Sequence, residues 1–301
     1  SSAASDVYKR QGLCRGGILK PAILGISGLS LTGEERALFR EHAPRGAILF
    51  KRNIADPAQL ADLTAELKAI LPPGAVLMVD QEGGRVARLR APHWPELPAA
   101  GTLRSEEEAY AHGQALGAMV REAGFTCTAA PVLDIRIPGA SDVVGDRAIT
   151  GDAAAVGRLG GAIARGIIEA GILPVMKHLP GHGRALVDSH VALPVVPALT
   201  RDDLAPFIAN KDLPWAMTAH VVYEQYDRFN PGTLSEIVIR DLIRGEIGFQ
   251  GVLVSDDLAM GALSSDPDPA SRARRALAAG CDIALYCPGD FAGNRAVLEA
   301  L

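Results

Sequence analysis

Short apolar runs recur along the chain, separated by longer stretches in which apolar and polar residues mix. The runs span residues 22–26, 47–50, 76–79, 127–130, 173–176, 215–219, 251–255 and 283–286. Most lack period-two alternation, which is how strands buried on both faces read. The stretches between them read as helices. Thr32 with Glu35 is a capping-box signature and predicts a helix toward Ala43. Pro57 suits the first turn of a helix reaching Ile70. Residues 106–123 and 152–170 are helical in pattern, and the second is rich enough in Ala and Gly to pack closely. Thr200 with Asp203 forms another capping box, with Leu199 and Leu204 as its hydrophobic staple. Ser235 should cap a helix running to Ile247, residues 272–279 form the next, and a last one opens at Phe291.

Eight β/α repeats predict an α/β fold, a single-domain (β/α)8 TIM barrel. A doubly wound sheet is the competitor, but no Gly-x-Gly-x-x-Gly opens a helix. A chain of 301 residues with 48% hydrophobic content fits one large barrel core. The net charge of −5 argues against nucleic-acid binding. Four cysteines (Cys14, Cys127, Cys281, Cys287) show no CxxC pairing and suggest a reducing compartment. No apolar run approaches a membrane span and no signal peptide is visible, so a cytoplasmic protein is expected. Residues 1–11 resemble the in-frame translation of a sequencing adapter and are expected to be a disordered, foreign tail.

The chemistry concentrates in Lys177-His178-Leu179-Pro180-Gly181-His182-Gly183, running on to Asp188-Ser189-His190. Three of the chain's seven histidines lie there. Pro180 and its neighbouring glycines predict a loop from Lys177 onward. A barrel keeps its reactive residues at the C-terminal ends of its strands. Asp80 follows the third run, Asp134 and then Asp146-Arg147 the fourth, Lys177 and His178 the fifth, His220 the sixth, and Asp256 and Asp257 the seventh. Five consecutive strands thus bring charged or imidazole groups to one rim.

Four blocks, in order, resemble the signatures of the glycoside hydrolase family 3 β-N-acetylglucosaminidases of bacterial peptidoglycan recycling. They are Asp80-Gln81-Glu82-Gly83-Gly84-Arg85-Val86, Gly145-Asp146-Arg147, the stretch from Lys177 to His190, and Ser255-Asp256-Asp257-Leu258-Ala259-Met260. Leu179 stands where the family usually has an aromatic, and the last helix is expected to be cut short relative to the family. The resemblance implies a (β/α)8 barrel that removes terminal N-acetylglucosamine from 1,6-anhydro-muropeptides with retention. It implies Asp256 as nucleophile, with Asp257 as the rival by spacing alone. It points to His190, oriented by Asp188, as acid/base, a role an imidazole fills because it titrates near neutrality. Asp80, Arg88, Arg147, Lys177 and His178 would bind the sugar. No metal or other cofactor is implied, the partner is a small saccharide or muropeptide rather than a nucleic acid or membrane, and a monomer is expected.

Other residues carry blander expectations. Arg85 should belong to a rim ion pair, Glu82 should partner backbone or an arginine, and His182 should bond loop backbone. His220 either lines the site or packs beneath the rim. Trp94 should pack in a loop, and Tyr223, Glu224 and Tyr226 are candidates to touch an aglycone. The alternatives are a phosphorylase or β-glucosidase of the same family, a metal-dependent hydrolase built on His178, His182, Asp188 and His190, and a non-catalytic sugar-binding barrel. Pro180 and Gly181 deny the metal reading the helical i,i+4 spacing of zincins, leaving loop ligation.

Overall fold

Eight parallel strands follow one another around the molecule in chain order, each succeeded by a helical segment. The computed structural model describes residues 19–301, so the tail at residues 1–11 and Cys14 lie outside the described residues. The strands are β1 (Lys20–Gly25), β2 (Pro44–Leu49), β3 (Val76–Val79), β4 (Cys127–Thr128), β5 (Leu173–Leu179), the short β6 (Val195–Val196), β7 (Trp215–Thr218), the short β8 (Val222–Tyr223), β9 (Val252–Val254) and β10 (Ala284–Tyr286). Pairing runs β10-β1-β2-β3-β4-β5-β7-β9. The ring closes through a parallel bridge between Val254 and Ile283. Ser255 N–H donates to Ile283 O at 2.9 Å and Leu258 N–H to Leu285 O at 2.9 Å across the same seam. This is the TIM barrel expected from the eight runs.

Both strand faces are buried, which explains the missing alternation. Ile23, Ile48, Met78, Val175, Met217 and Leu285 belong to one apolar cluster, and Ala22, Leu24, Leu77, Val79, Met176 and Ala216 to another. Along β1 and β3 neighbouring residues alternate between the two, so one cluster fills the barrel and the other meets the helices. Close helix contact also appears as expected. A Cβ on Gly166 would lie 2.4 Å from Tyr110 O, and one on Gly113 2.1 Å from Ile163 O. The helices Glu106–Glu122 and Ala153–Glu169 therefore meet backbone to backbone.

The caps form where the sequence places them. Thr32 and Glu35 make the full box on Gly33–His42, Asp203 accepts from Thr200 N–H at 2.7 Å as half of the box on Arg201–Ala209, and Asp56 caps Pro57–Ile70. The helix Pro269–Ala279 opens before residue 272, because Asp268 caps it and Pro269 takes the first position. Ser235 does cap the next-to-last crossover, its Oγ accepting from Val238 N–H at 3.2 Å. That segment, however, is wound as a π-helix over Val238–Glu246, and Ile247 N–H reaches back five residues to Leu242 O.

One expectation fails. The stretch from Lys177 to Leu179 is strand, not loop: β5 runs through both Lys177 and His178. Lys177 N–H donates to Pro131 O at 3.1 Å, Lys177 O accepts from Leu133 N–H at 2.8 Å, and Leu179 O accepts from Ala219 N–H at 2.8 Å. Neighbours on both sides thus hold the backbone extended, and only at Pro180, which has no N–H, does the ladder stop. The Lys177–His178 and Leu179–Pro180 peptide bonds are cis.

Candidate active site

Because every strand points the same way, the residues that end them meet at one rim. A pocket there is lined by Asp80 and Arg88 from beyond β3, Arg147, Lys177 and His178 of β5, His190, and Asp256 beyond β9. Of the expected site residues only Asp188 lies off the pocket wall. Glu82, Phe50, His182 and Asp257 complete much of the lining.

The floor of the pocket is an ion network. Lys177 Nζ sits 2.6 Å from Glu82 Oε1 and 3.2 Å from Asp80 Oδ1. Arg147 grips Glu82 with a two-pronged fork, Nε to Oε2 at 2.9 Å and Nη2 to Oε1 at 2.8 Å. Arg88 Nη2 reaches Asp80 Oδ2 at 3.1 Å while its guanidinium stacks over Phe50 at 5.4 Å. Three cations therefore surround two carboxylates. Burial pushes the Glu82 carboxyl up, but Lys177 and Arg147 outweigh it and bring it down to about 2. Asp80 is likewise lowered: burial opposes, and Lys177 and Arg88 prevail. Glu82 is the arginine partner the sequence suggested. Arg85 is in its rim pair, with Nε 2.7 Å from Asp146.

Asp134, which the sequence placed at the rim without a role, is the hub of a second cluster. Its Oδ2 bonds His178 Nδ1 at 2.6 Å, and its Oδ1 accepts from His182 N–H at 2.6 Å. A carboxylate only accepts, so Nδ1 of His178 carries the hydrogen and Nε2 is turned away from Asp134. Burial pushes Asp134 up, but His178 and His182 hold it below the ordinary carboxylate range. The imidazole of His182 meets the Ser189 hydroxyl at 3.0 Å instead of loop backbone, and burial holds it below its ordinary value.

Asp256 and Asp257 separate clearly. Asp257 spends its carboxylate on backbone, Oδ1 accepting from Ala259 N–H at 2.9 Å and Cys287 N–H at 3.1 Å. Burial, with the Asp256 charge beside it, raises it. Asp256 Oδ1 accepts from Asp257 N–H at 2.8 Å. Burial pushes Asp256 up, but His220, His178 and Lys177 bring it below the ordinary value. His220 is itself lowered by burial. Of the two readings of His220, the buried one holds: it sits beneath the rim, bonded to Thr233 and the Asp257 carbonyl.

Asp188 and His190 lie at the outer edge, with side chains 40% and 64% exposed. Asp188 Oδ1 accepts from both His190 N–H and Nδ1, each at 2.8 Å. The carboxylate fixes the tautomer, so Nε2 is the nitrogen left to exchange a proton. Ser189 and His190 are tied by their carbonyls to Ala262 N–H at 3.0 Å and Gly261 N–H at 3.3 Å.

Three secondary expectations change. Tyr223 is fully buried, donating to Gly181 O at 2.9 Å, and so braces the loop from below. Tyr226 bonds Glu246, and neither it, Tyr223 nor Glu224 lines the pocket. These residues follow β7 in sequence, but β8 pairs with β6 in a separate two-stranded sheet and does not join the barrel. Trp94 packs against the core beside His93, as a loop residue should. The four residues of the metal reading do not converge: His178 and His182 share Asp134, and Asp188 serves His190. Among the described residues no group of three His, Cys, Asp or Glu side chains is arranged to hold a metal. No helix among them is long and apolar enough to cross a membrane.

A barrel rim carrying a half-buried carboxylate outside the ion pairs, an ion-paired floor and an exposed imidazole defines an enzyme pocket for a polar, hydroxyl-rich substrate. The chain belongs to glycosyl hydrolase family 3: the model of that family's N-terminal domain matches residues 22–301, and the protein is a glycoside hydrolase. A β-hexosaminidase of Pseudomonas aeruginosa is 42% identical over 289 residues, which cover 93% of this chain and 85% of that protein. The NagZ of Neisseria gonorrhoeae, solved in complex with N-trifluoroacetyl-D-glucosamine, is 37% identical with a TM-score of 0.82, covering 89% of this chain and 82% of that one. A family 3 β-N-acetylglucosaminidase from Paenibacillus is 38% identical with a TM-score of 0.87. This match covers 94% of the present chain but only 56% of that longer one.

Proposed function

We propose that this glycoside hydrolase is a retaining exo-β-N-acetylglucosaminidase, cytoplasmic and monomeric, that releases terminal N-acetylglucosamine from 1,6-anhydro-muropeptides during cell-wall recycling. The observation that carries the reading is that Asp256 and His190 line one pocket, with Asp257 tied to backbone and Asp188 tied to His190. The names of the Pseudomonas, Neisseria and Paenibacillus relatives support the choice of sugar.

In this mechanism Asp256 attacks the anomeric carbon as its bond to the leaving oxygen breaks, and His190 gives its Nε2 proton to that oxygen. A covalent glycosyl–Asp256 ester results. Water then attacks the anomeric carbon, giving its proton to His190 Nε2, and the Asp256 carboxylate is released. Asp188 keeps Nδ1 protonated throughout. Asp80, Arg88, Arg147, Lys177 and His178 hold the sugar: the carboxylate accepts from hydroxyls, and the cations and His178 Nε2 face its oxygens. Metal ions take no part, so activity should survive a strong chelator.

Asp256→Asn tests the reading. Turnover of an aryl β-N-acetylglucosaminide should fall by roughly a thousandfold or more, while N-acetylglucosamine still binds. A variant that turns over at the parental rate would remove Asp256 from the role of nucleophile.

A further inference from the structure

Beneath the pocket, four hydrogen bonds link three buried side chains to the backbone of the Asp256–Asp257 pair. Asp256 N–H donates to Thr218 Oγ1 at 3.2 Å. Thr218 Oγ1 lies 2.7 Å from Thr233 Oγ1. Thr233 Oγ1 lies 2.8 Å from His220 Nδ1, and His220 Nε2 lies 2.9 Å from Asp257 O. All three side chains are fully buried. They come from different segments: Thr218 ends β7, His220 follows it, and Thr233 sits in the turn Gly232–Leu234.

Donor and acceptor counting gives the chain one direction. A carbonyl only accepts, so His220 carries its hydrogen on Nε2. Burial holds the ring neutral, which leaves Nδ1 as a lone pair needing a donor. Thr233 has a single hydroxyl hydrogen and supplies it. Thr233 Oγ1 must then accept, so Thr218 donates to it, and Thr218 in turn accepts from Asp256 N–H. Thr233 has a second acceptor in reach, Ala219 O at 3.1 Å. Choosing it would leave Nδ1 of a buried neutral imidazole without a partner, which is the costlier arrangement.

We propose that Thr218, Thr233 and His220 form a one-way hydrogen-bonded ring that positions the nucleophile, running from the N–H of Asp256 to the carbonyl of Asp257 and so clamping both ends of that dipeptide. The inference rests on reading Asp256 as the nucleophile. Each hydroxyl both accepts and donates, so the bonds reinforce one another. Asp257's carboxylate closes the remaining freedom by holding Ala259 N–H and Cys287 N–H. The carboxylate of Asp256 therefore stands on a fixed backbone. None of the three ring side chains is a catalytic residue; each acts through Asp256.

The test combines kinetics with a spectroscopic readout. Thr218→Val and Thr233→Val keep shape and remove the hydroxyl, and Thr233→Ser keeps it. With 4-nitrophenyl β-N-acetylglucosaminide, each Val variant should lower kcat about tenfold or more with KM changed less than about twofold, as for loss of a contact felt mainly in the transition state. Thr233→Ser should recover most of the rate. In the unmodified protein, nitrogen-15 spectra of labelled histidine should show His220 as the neutral Nε2–H tautomer. Folded Val variants at parental kcat beside an inactive Asp256→Asn would overturn the ring while sparing the nucleophile. Active Asp256→Asn would instead defeat the nucleophile reading itself. If the Val variants do not fold, the spectrum decides: a charged or Nδ1–H His220 refutes the ring, and the Nε2–H form supports it.

Discussion

Lys177 Nζ lies 2.6 Å from Glu82 and 3.2 Å from Asp80, so one ammonium from β5 joins two carboxylates that leave β3. The side chain is 3% exposed. A buried lysine with a single partner would be a poor anchor; with two, and with Arg147 and Arg88 on their far sides, every charge is answered. The floor charges are thus paired before any sugar enters, and the pairing depends on Glu82 remaining ionised.

That dependence sets an acid limit. A carboxyl depressed in the folded state contributes stability above its unfolded value and loses it as pH falls through the folded value. For Glu82 the window runs from the ordinary 4.5 down to about 2. Glu82→Gln should cost roughly 3 kcal/mol at pH 7, at about 1.36 kcal/mol per pKa unit. Its deficit should shrink as the parent is acidified through that window. Denaturant unfolding of both proteins between neutral pH and pH 2 measures this, and a deficit independent of pH would refute the coupling.

His190 should matter in proportion to how poor the leaving group is. His190→Ala should cut the rate about 10²- to 10⁴-fold for basic leaving groups, and far less for an acidic phenol that departs without a proton. Rates across a series of aryl β-N-acetylglucosaminides read this directly. An equal loss for every leaving group would take the proton transfer away from His190.

Gly83 connects Glu82 to the rest of its loop with φ of +95°, and a Cβ there would lie 2.3 Å from Pro98 O and 2.9 Å from His112 Cε1. Gly83→Ala is therefore both strained and crowded, and should cost about 1–3 kcal/mol. Since Glu82 is its neighbour, KM should rise along with the loss of melting temperature. A stable variant with parental KM would show that the turn tolerates a side chain.

Much of the scaffold was legible in the sequence because it depends on local rules. Apolar runs marked the strands, and Thr32, Pro57 and Thr200 marked helix starts through bonds made within four residues. The rim location of Asp80 and Asp256 followed from strand ends alone. What stayed hidden depends on partners far along the chain. The extension of β5 past Met176 comes from bonds to Pro131, Leu133 and Ala219. The burial of Tyr223 comes from pairing of β6 with β8. Asp134 looked like one more loop acid, and only folding brings His178 and His182 onto it. Spacing likewise could not tell the surroundings of Asp256 from those of Asp257, since the difference lies in two backbone N–H groups bonded to Asp257, one of them at Cys287.

The central claim is most directly tested by the hydrolysis of an aryl β-N-acetylglucosaminide beside the matching aryl β-glucoside, with and without inorganic phosphate. The account predicts strong preference for the N-acetylglucosaminide, free N-acetylglucosamine as product, and rates indifferent to phosphate. Preference for the glucoside would contradict the substrate, and a phosphate-dependent rate yielding sugar-1-phosphate would make the enzyme a phosphorylase.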